Sequence, residues 1–349
     1  MDTPSDLRGA RRRWLASVGV GLAAAASPRA SFAAPRGGCA LIAGDALARY
    51  GFRDGHPLGM DRQGAFLDEM VRRGLDRTVG RIDPAPPASR DVLERFHTAA
   101  FVRFVEGAEA AGLELLDDGN TPVFPGVHQA SATVVGSAIA GLDAIVAGRC
   151  ARTFQPVGGL HHARRDRAAG FCVYNDVGVV IETLRRVHGI RRVAYIDIDV
   201  HHGDGVFYAF EDDPDLIVAD VHEDGRVRYP GTGDADETGR GAAAGTKLNV
   251  PLPSGAGDAE FLAAWGRVER HLDRFAPEFF LFQSGADGLD GDPLASLRYT
   301  PAVHAHAAAR LRVLADRHAG GRLMAFGGGG YDRGNLAAGW CEVLAALGR

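Results

Sequence analysis

Cysteine is scarce in this chain of 349 residues: Cys39, Cys150, Cys172 and Cys341 are scattered, and no two stand in a C-x-x-C spacing. That excludes a thiolate zinc site and a dense disulfide framework, and leaves only one or two bridges open. A basic surplus is also missing. The formal net charge is −5 and the sequence pI ≈ 6.2, so there is no electrostatic footprint for a nucleic acid partner. Internal repeats and low-complexity linkers are absent too, and the length suits one large domain with its own core. Hydrophobic content of 46% and charged content of 24% are those of an ordinary globular protein.

The N-terminus is built differently. RRRWLASVGVGLAAAASPRASFAA (11–34) joins a positive start to a short apolar run and small residues at Ser31, Ala33 and Ala34. This is the three-part layout of a signal peptide, and the run is too short for a membrane span. Its Arg-Arg-x-x-Leu start resembles a twin-arginine export signal. The expectation is export to the periplasm, with residues 1–34 removed and a catalytic domain over 35–349. The alternative is a cytoplasmic protein with an over-long or disordered start.

From residue 39 onward, short apolar runs alternate with amphipathic segments. CALIAG (39–44), RTFQPV (152–157), RRVAYIDIDV (191–200), DLIVADV (215–221), FFLFQSG (279–285) and RLMAFGG (322–328) read as core strands. Helical spacing falls over 62–75, 90–112, 128–148, 176–189, 259–275 and 300–319. Such alternation predicts an α/β fold: a mostly parallel central sheet with helices on both faces. Its ligand site belongs beyond the carboxyl ends of the strands. Four polar clusters stand there: GGLHHA (158–163), DIDVHHGD (197–204), SGADGLDGDP (284–293) and GGGGYD (327–332).

YIDIDVHHGDGV (195–206) poses the chemical question, because it places three aspartates and two histidines behind a buried run. Buried carboxylates are costly unless paired or bound to metal. If the strand continues, Asp197, Asp199 and His201 share one face, while Ile198 and Val200 pack on the other. Asp199 and His201 then make a half-site that Asp287 can close. Three such ligands with an open position suit a catalytic zinc ion. The remaining carboxylates, Asp197 and Asp204, are candidate partners for His161 and His162, a pairing that reads as a general base or acid. Tyr331 follows four glycines and is placed to donate to a developing oxyanion. The arginines of ARRDRA (163–168) read as a solvated loop, or as bait for an acidic substrate.

Eight segments in order carry a resemblance: RFHTAAFV (95–102), GGLHHA, GFCVYNDVGV (170–179), YIDIDVHHGDGV, YPGTGD (229–234), NVPLPSG (249–255), SGADGLDGDP and FGGGGYD. Together they resemble the zinc-dependent histone deacetylase superfamily, nearest its class I and bacterial acetoin-utilisation types. The resemblance implies an arginase/deacetylase-type fold. It also implies a deacylase acting on an acylated lysine or a lysine-like amine. It makes Asp199, His201 and Asp287 ligands of Zn2+, or of Fe2+ in the cell. His161 and His162 become the tandem histidines, with Asp197 and Asp204 as their partners, and Tyr331 the carbonyl-polarising phenol. Gly170, Phe171 and Tyr229 become walls of an acyl-lysine tunnel. Structural K+ is implied at Asp197, Asp199, His201, Asp220 and Val221, with a second ion near Phe210.

The chain also departs from the family pattern. Asp220 stands where a serine is usual. Asn120 replaces a rim aspartate that grips a peptide backbone, and Asp118 is displaced from that position by two residues. Leu294 occupies the place of an acidic gatekeeper in polyamine-selective members. Three readings follow: a protein lysine deacetylase, an amidohydrolase of acetylpolyamines or other acylated metabolites, and a silent acyl-amine binding protein. An arginase-like pair of manganese ions would need more carboxylates. The oligomeric state is not legible.

Overall fold

The stretch FFLFQ is buried at every position, so the strand it forms must be covered on both faces. A computed structural model describes residues 38–53 and 55–349 and shows that cover. Residues 1–34, with their expected export signal, lie outside the described residues, as does the expected domain boundary. Eight strands form one sheet: β1 (Cys39–Ile42), β2 (Gly80–Ile82), β3 (Arg152–Gln155), β4 (Val193–Asp197), β5 (Leu216–Glu223), β6 (Lys247–Leu252), β7 (Phe279–Gln283) and β8 (Leu323–Phe326). Their order is β2-β1-β3-β8-β7-β4-β5-β6, and every neighbouring pair is parallel.

Alternation along each strand divides the core in two. Val193 and Tyr195 of β4, Leu216 and Val218 of β5, and Phe279 and Leu281 of β7 face one cluster, with helices Val127–Val146 and Asp176–Arg186. Ala194, Ile196, Ile217, Ala219, Phe280 and Phe282 face the other, with helices Asp258–Phe275, Pro301–His318 and Arg333–Leu347. The helix Val127–Val146 is long and apolar enough to cross a membrane by composition, but 67% of that window is buried inside the protein. It is a core helix. The Pro-rich connection predicted at 82–89 runs along it, with Ala88 N–H donating to Ala132 O and Ala85 N–H to Ser137 Oγ.

β2 and β6 were not expected. β2 is short, polar and at one edge; β6 (KLNVPL) mixes Lys, Asn and Pro among its apolar residues. The expected strand 191–200 is cut short, since β4 ends at Asp197. Beyond it the alternation persists by other means. Ile198 N–H still donates to Gln283 O, Val200 N–H to the Asp287 carboxylate, and the Asp197 and Asp199 carboxylates each accept from the N–H two residues on.

Close packing of the Pro-rich connection yields a stability prediction remote from the polar cluster. A Cβ at Gly136 would stand 2.3 Å from Pro86 O. Alanine is the better helix former by about 1 kcal/mol, but overpacking against a main-chain oxygen costs about 1–3 kcal/mol. Gly136→Ala should therefore lower the urea midpoint while metal content stays at the wild-type level; an unchanged midpoint would show that the connection yields freely.

Candidate active site

The loops beyond β3, β4, β7 and β8 bring the four polar clusters together at one end of the sheet. Asp199, His201 and Asp287 are buried there, each with a ligating atom within 4.8 Å of the others. Among the described residues this is the one such group of three. His201 Nδ1 lies 3.0 Å from Asp199 Oδ1 and 3.2 Å from Asp287 Oδ2. The first contact has hydrogen-bond geometry; Asp287 Oδ2 is left as a buried oxygen without a hydrogen-bond donor. Burial and the charge on Asp199 push Asp287 up to about 6. Asp199 is held well below the ordinary carboxylate range despite burial, by His161, His201 and Gln283. Two like charges and an orphaned oxygen around one imidazole nitrogen are what a divalent cation would resolve. The residues fit a metal ion.

Backbone must come close to hold these carboxylates. Gly329 N–H donates to Asp199 Oδ2 at 2.8 Å, and a Cβ on Gly329 would meet Asp287 Oδ2 at 2.1 Å. Any larger residue there would displace a carboxylate. The glycine run is itself clamped by buried Arg62, which donates to Gly328 O at 2.6 Å and Gly330 O at 2.9 Å. Asp292 accepts from Tyr331 N–H at 2.7 Å and fixes the residue that follows the run.

His161 and His162 lie beside the metal ligands. Their Nε2 atoms are 3.1 Å apart, and His161 Nε2 is 3.9 Å from Asp199 Oδ1. Each Nδ1 donates to its own carboxylate, His161 to Asp197 at 2.8 Å and His162 to Asp204 at 2.7 Å. The two rings carry different charges. Burial opposes the cation at His161, but Asp197 and Asp199 outweigh it and raise the ring to about 10. Burial and the His161 charge lower His162 to about 4. These opposite shifts favour donation from His161 Nε2 to His162 Nε2. Burial pushes Asp197 up to about 7 against the pull of His161. Donors from His161, Tyr195 O–H and Asp199 N–H nevertheless converge on it.

Sequence reasoning missed several supports. Arg164, read as part of a solvated loop, donates to Asp204 Oδ2 at 2.5 Å. Arg165 pairs with Glu182 and covers the Phe96 ring, so ARRDRA is not a free basic patch. Gln283 donates to Asp199 Oδ2 at 2.8 Å, and Asp176 accepts from the N–H groups of Gly159 and Leu160 that lead into the histidines. The one available signal was position, since Asp197 and Gln283 are polar residues at the last place of apolar strands.

The expected tunnel residues flank this centre. Tyr229 lies with its ring 5.0 Å from His162 and 6.1 Å from His201. Phe171, at φ 69°, stands 6.1 Å from the Tyr331 ring and 4.6 Å from His56. Gly170 packs against the His162 ring, and its N–H donates to Asn120 Oδ1 at 3.2 Å. Asn120 thus braces the wall. Exposed Asp118 lines the same groove of about 380 Å³ as Asn120 and Tyr229. A second groove, about 620 Å³, is lined by Phe52, His56, Pro293 and Tyr331. A further cleft, about 760 Å³, touches none of the expected site residues. Leu294 is half-buried, its carbonyl held by Arg228 at 2.8 Å. Cys172 is a buried free thiol, as are the other three cysteines.

The two expected potassium cradles differ. Asp197, Asp199, His201 and Val221 are buried together, and Asp220 beside them accepts from His222 at 2.6 Å and from Gly203 N–H at 2.9 Å. Near Phe210, where the second potassium ion was expected, the Asp213 and Leu216 carbonyls accept from the Lys247 ammonium.

Comparison with known proteins agrees with this geometry. The histone deacetylase domain model matches residues 56–347. The acetoin utilization protein AcuC of Bacillus subtilis is 34% identical over 81% of this chain and 75% of its own length. Histone deacetylase RPD3 of Saccharomyces cerevisiae is 31% identical over 86% of this chain and 70% of its own. The crystal structure of the HDA15 HD domain superposes with a TM-score of 0.80 at 26% identity, covering 89% of this chain and 88% of that one. This chain belongs to the histone deacetylase family of metal-dependent deacetylase hydrolases.

Proposed function

We propose that the protein is a zinc-dependent deacylase that hydrolyses the N-acyl amide of lysine or a lysine-like amine. The observation that carries this reading is the juxtaposition of a buried Asp-His-Asp ligand set with a neutral, carboxylate-oriented histidine. Asp199, His201 and Asp287 would hold the ion, which when bound supplies a Lewis acid for the amide carbonyl and makes water more acidic. His162 takes a proton at Nε2 and returns one to the leaving amine. Asp204, pinned by Arg164, keeps the proton of neutral His162 on Nδ1 and balances the charge when Nε2 is protonated. His161, held by Asp197, flanks His162 and orients it. Tyr331 donates its O–H to the carbonyl oxygen as negative charge builds there. Phe171 and Tyr229 line the stem of the substrate and exclude water.

A small acylated amine is the second reading, favoured by Asn120, whose side-chain oxygen is spent on Gly170 N–H. For residues 1–34 we propose export, on their sequence layout alone; N-terminal sequencing of the protein from a periplasmic fraction tests it.

Tyr331→Phe should lower kcat by roughly 10²–10³ with little change in KM; near-normal turnover would remove Tyr331 from the chemistry. Arg164→Ala should cost about 10–100-fold in kcat, as for other residues that orient a histidine near a metal. Arg164→Lys should recover much of that loss, and an alanine variant as fast as wild type would make Arg164 a surface residue only. Dialysis against a chelator should abolish turnover and lower Tm, with zinc restoring both; activity that survives complete metal removal would overturn the reading. Acetyl-lysine peptide, free acetyl-lysine and an acetylpolyamine, assayed side by side with a hydroxamate control, separate the protein-directed from the metabolite-directed enzyme.

A further inference from the structure

Lys247 is the single lysine among the 39 Lys and Arg residues of the chain. It is also among the most deeply buried, at 2% exposure. It enters from β6 beside β5, in register with Val218. Its Nζ donates to Asp213 O at 2.8 Å, to Leu216 O, and to Thr246 Oγ1 at 3.1 Å. Asp213 lies in the loop that leaves Phe210 and Leu216 opens β5 at its end, and Asp213 N–H donates back to Phe210 O at 3.1 Å. This is the loop where the outer potassium ion was expected.

The chemistry of the pocket is that of a monovalent cation site. The oxygens around Nζ are neutral carbonyls and a hydroxyl, while the nearby Asp213 carboxylate is engaged by Arg185. The Thr246 carbonyl is turned to other donors, Val218 N–H and His271 Nε2, each at 3.1 Å. Burial pulls Lys247 down to about 8, which leaves it protonated at neutral pH. An ammonium is a compact point charge with three donors, whereas a guanidinium is a planar fork. That difference accounts for a lysine here in a chain that otherwise uses arginine.

We propose that the Lys247 ammonium is a built-in substitute for the outer potassium ion, tying the 210–216 loop to β6 by a covalently held cation. The outer site then needs no potassium, whatever the inner cradle binds.

Thallium(I), a heavy stand-in for potassium, tests this in crystals of the wild-type protein by anomalous scattering. No thallium should lie among Asp213 O, Leu216 O and Thr246 Oγ1; a peak there would overturn the proposal. Lys247→Ala empties the cradle. Its melting temperature should fall in choline chloride and rise by about 3 °C more than that of wild type on exchange into potassium chloride at equal ionic strength. An alanine variant that responds to potassium no more than wild type would also overturn it. If the variant does not fold, the wild-type thallium experiment decides alone. Neither readout depends on turnover, so failure here and failure of the deacylase reading are distinguishable.

Discussion

Two carboxylates meet at one imidazole nitrogen, and most of this molecule's polar architecture answers to that fact. Asp199 and Asp287 both approach His201 Nδ1 in a region closed to solvent. Like charges at that separation repel strongly in a dry interior. The protein compensates from every side: Gln283, Gly329 N–H and His201 N–H donate to Asp199, and Val200 N–H donates to Asp287. One oxygen of Asp287 remains without a donor. A divalent cation between the carboxylates would complete the arrangement.

The same logic of paired compensation extends outward. Each tandem histidine has its own carboxylate, and each carboxylate its own further donor, Tyr195 for Asp197 and Arg164 for Asp204. Unequal surroundings make the two rings unequal in charge, although they are adjacent in sequence. Buried polar groups are tolerated when every member is satisfied, and the parallel sheet makes that possible by ending four neighbouring strands at one edge. Loops distant in sequence then contribute one side chain each, held by rigid strands behind them.

The parallel sheet was legible because core strands such as FFLFQ and VAYID are apolar on both faces and separated by helical spacing. β2 and β6 were not, because an exposed edge and a strand containing Lys, Asn and Pro lack that run. The His and Asp residues of the site could be read from composition at strand ends and from eight ordered motifs. Their partners could not. Arg164 and Asp204 are 40 positions apart and Gln283 and Asp199 are 84 apart, and nothing local marks either pair. The face-sharing of Asp197, Asp199 and His201 was anticipated from strand periodicity, but side-chain hydrogen bonds to the main chain, rather than a longer strand, support that stretch.

The solitary lysine has an implication for the protein as a cellular object. Lysine side chains are where acetyl groups, ubiquitin and related tags are attached, and this sequence offers one such amine, sealed beneath the 210–216 loop. The folded protein therefore presents no side-chain amine to acylating enzymes. Acylation of a lysine side chain is thereby closed to the folded chain as a means of tuning it.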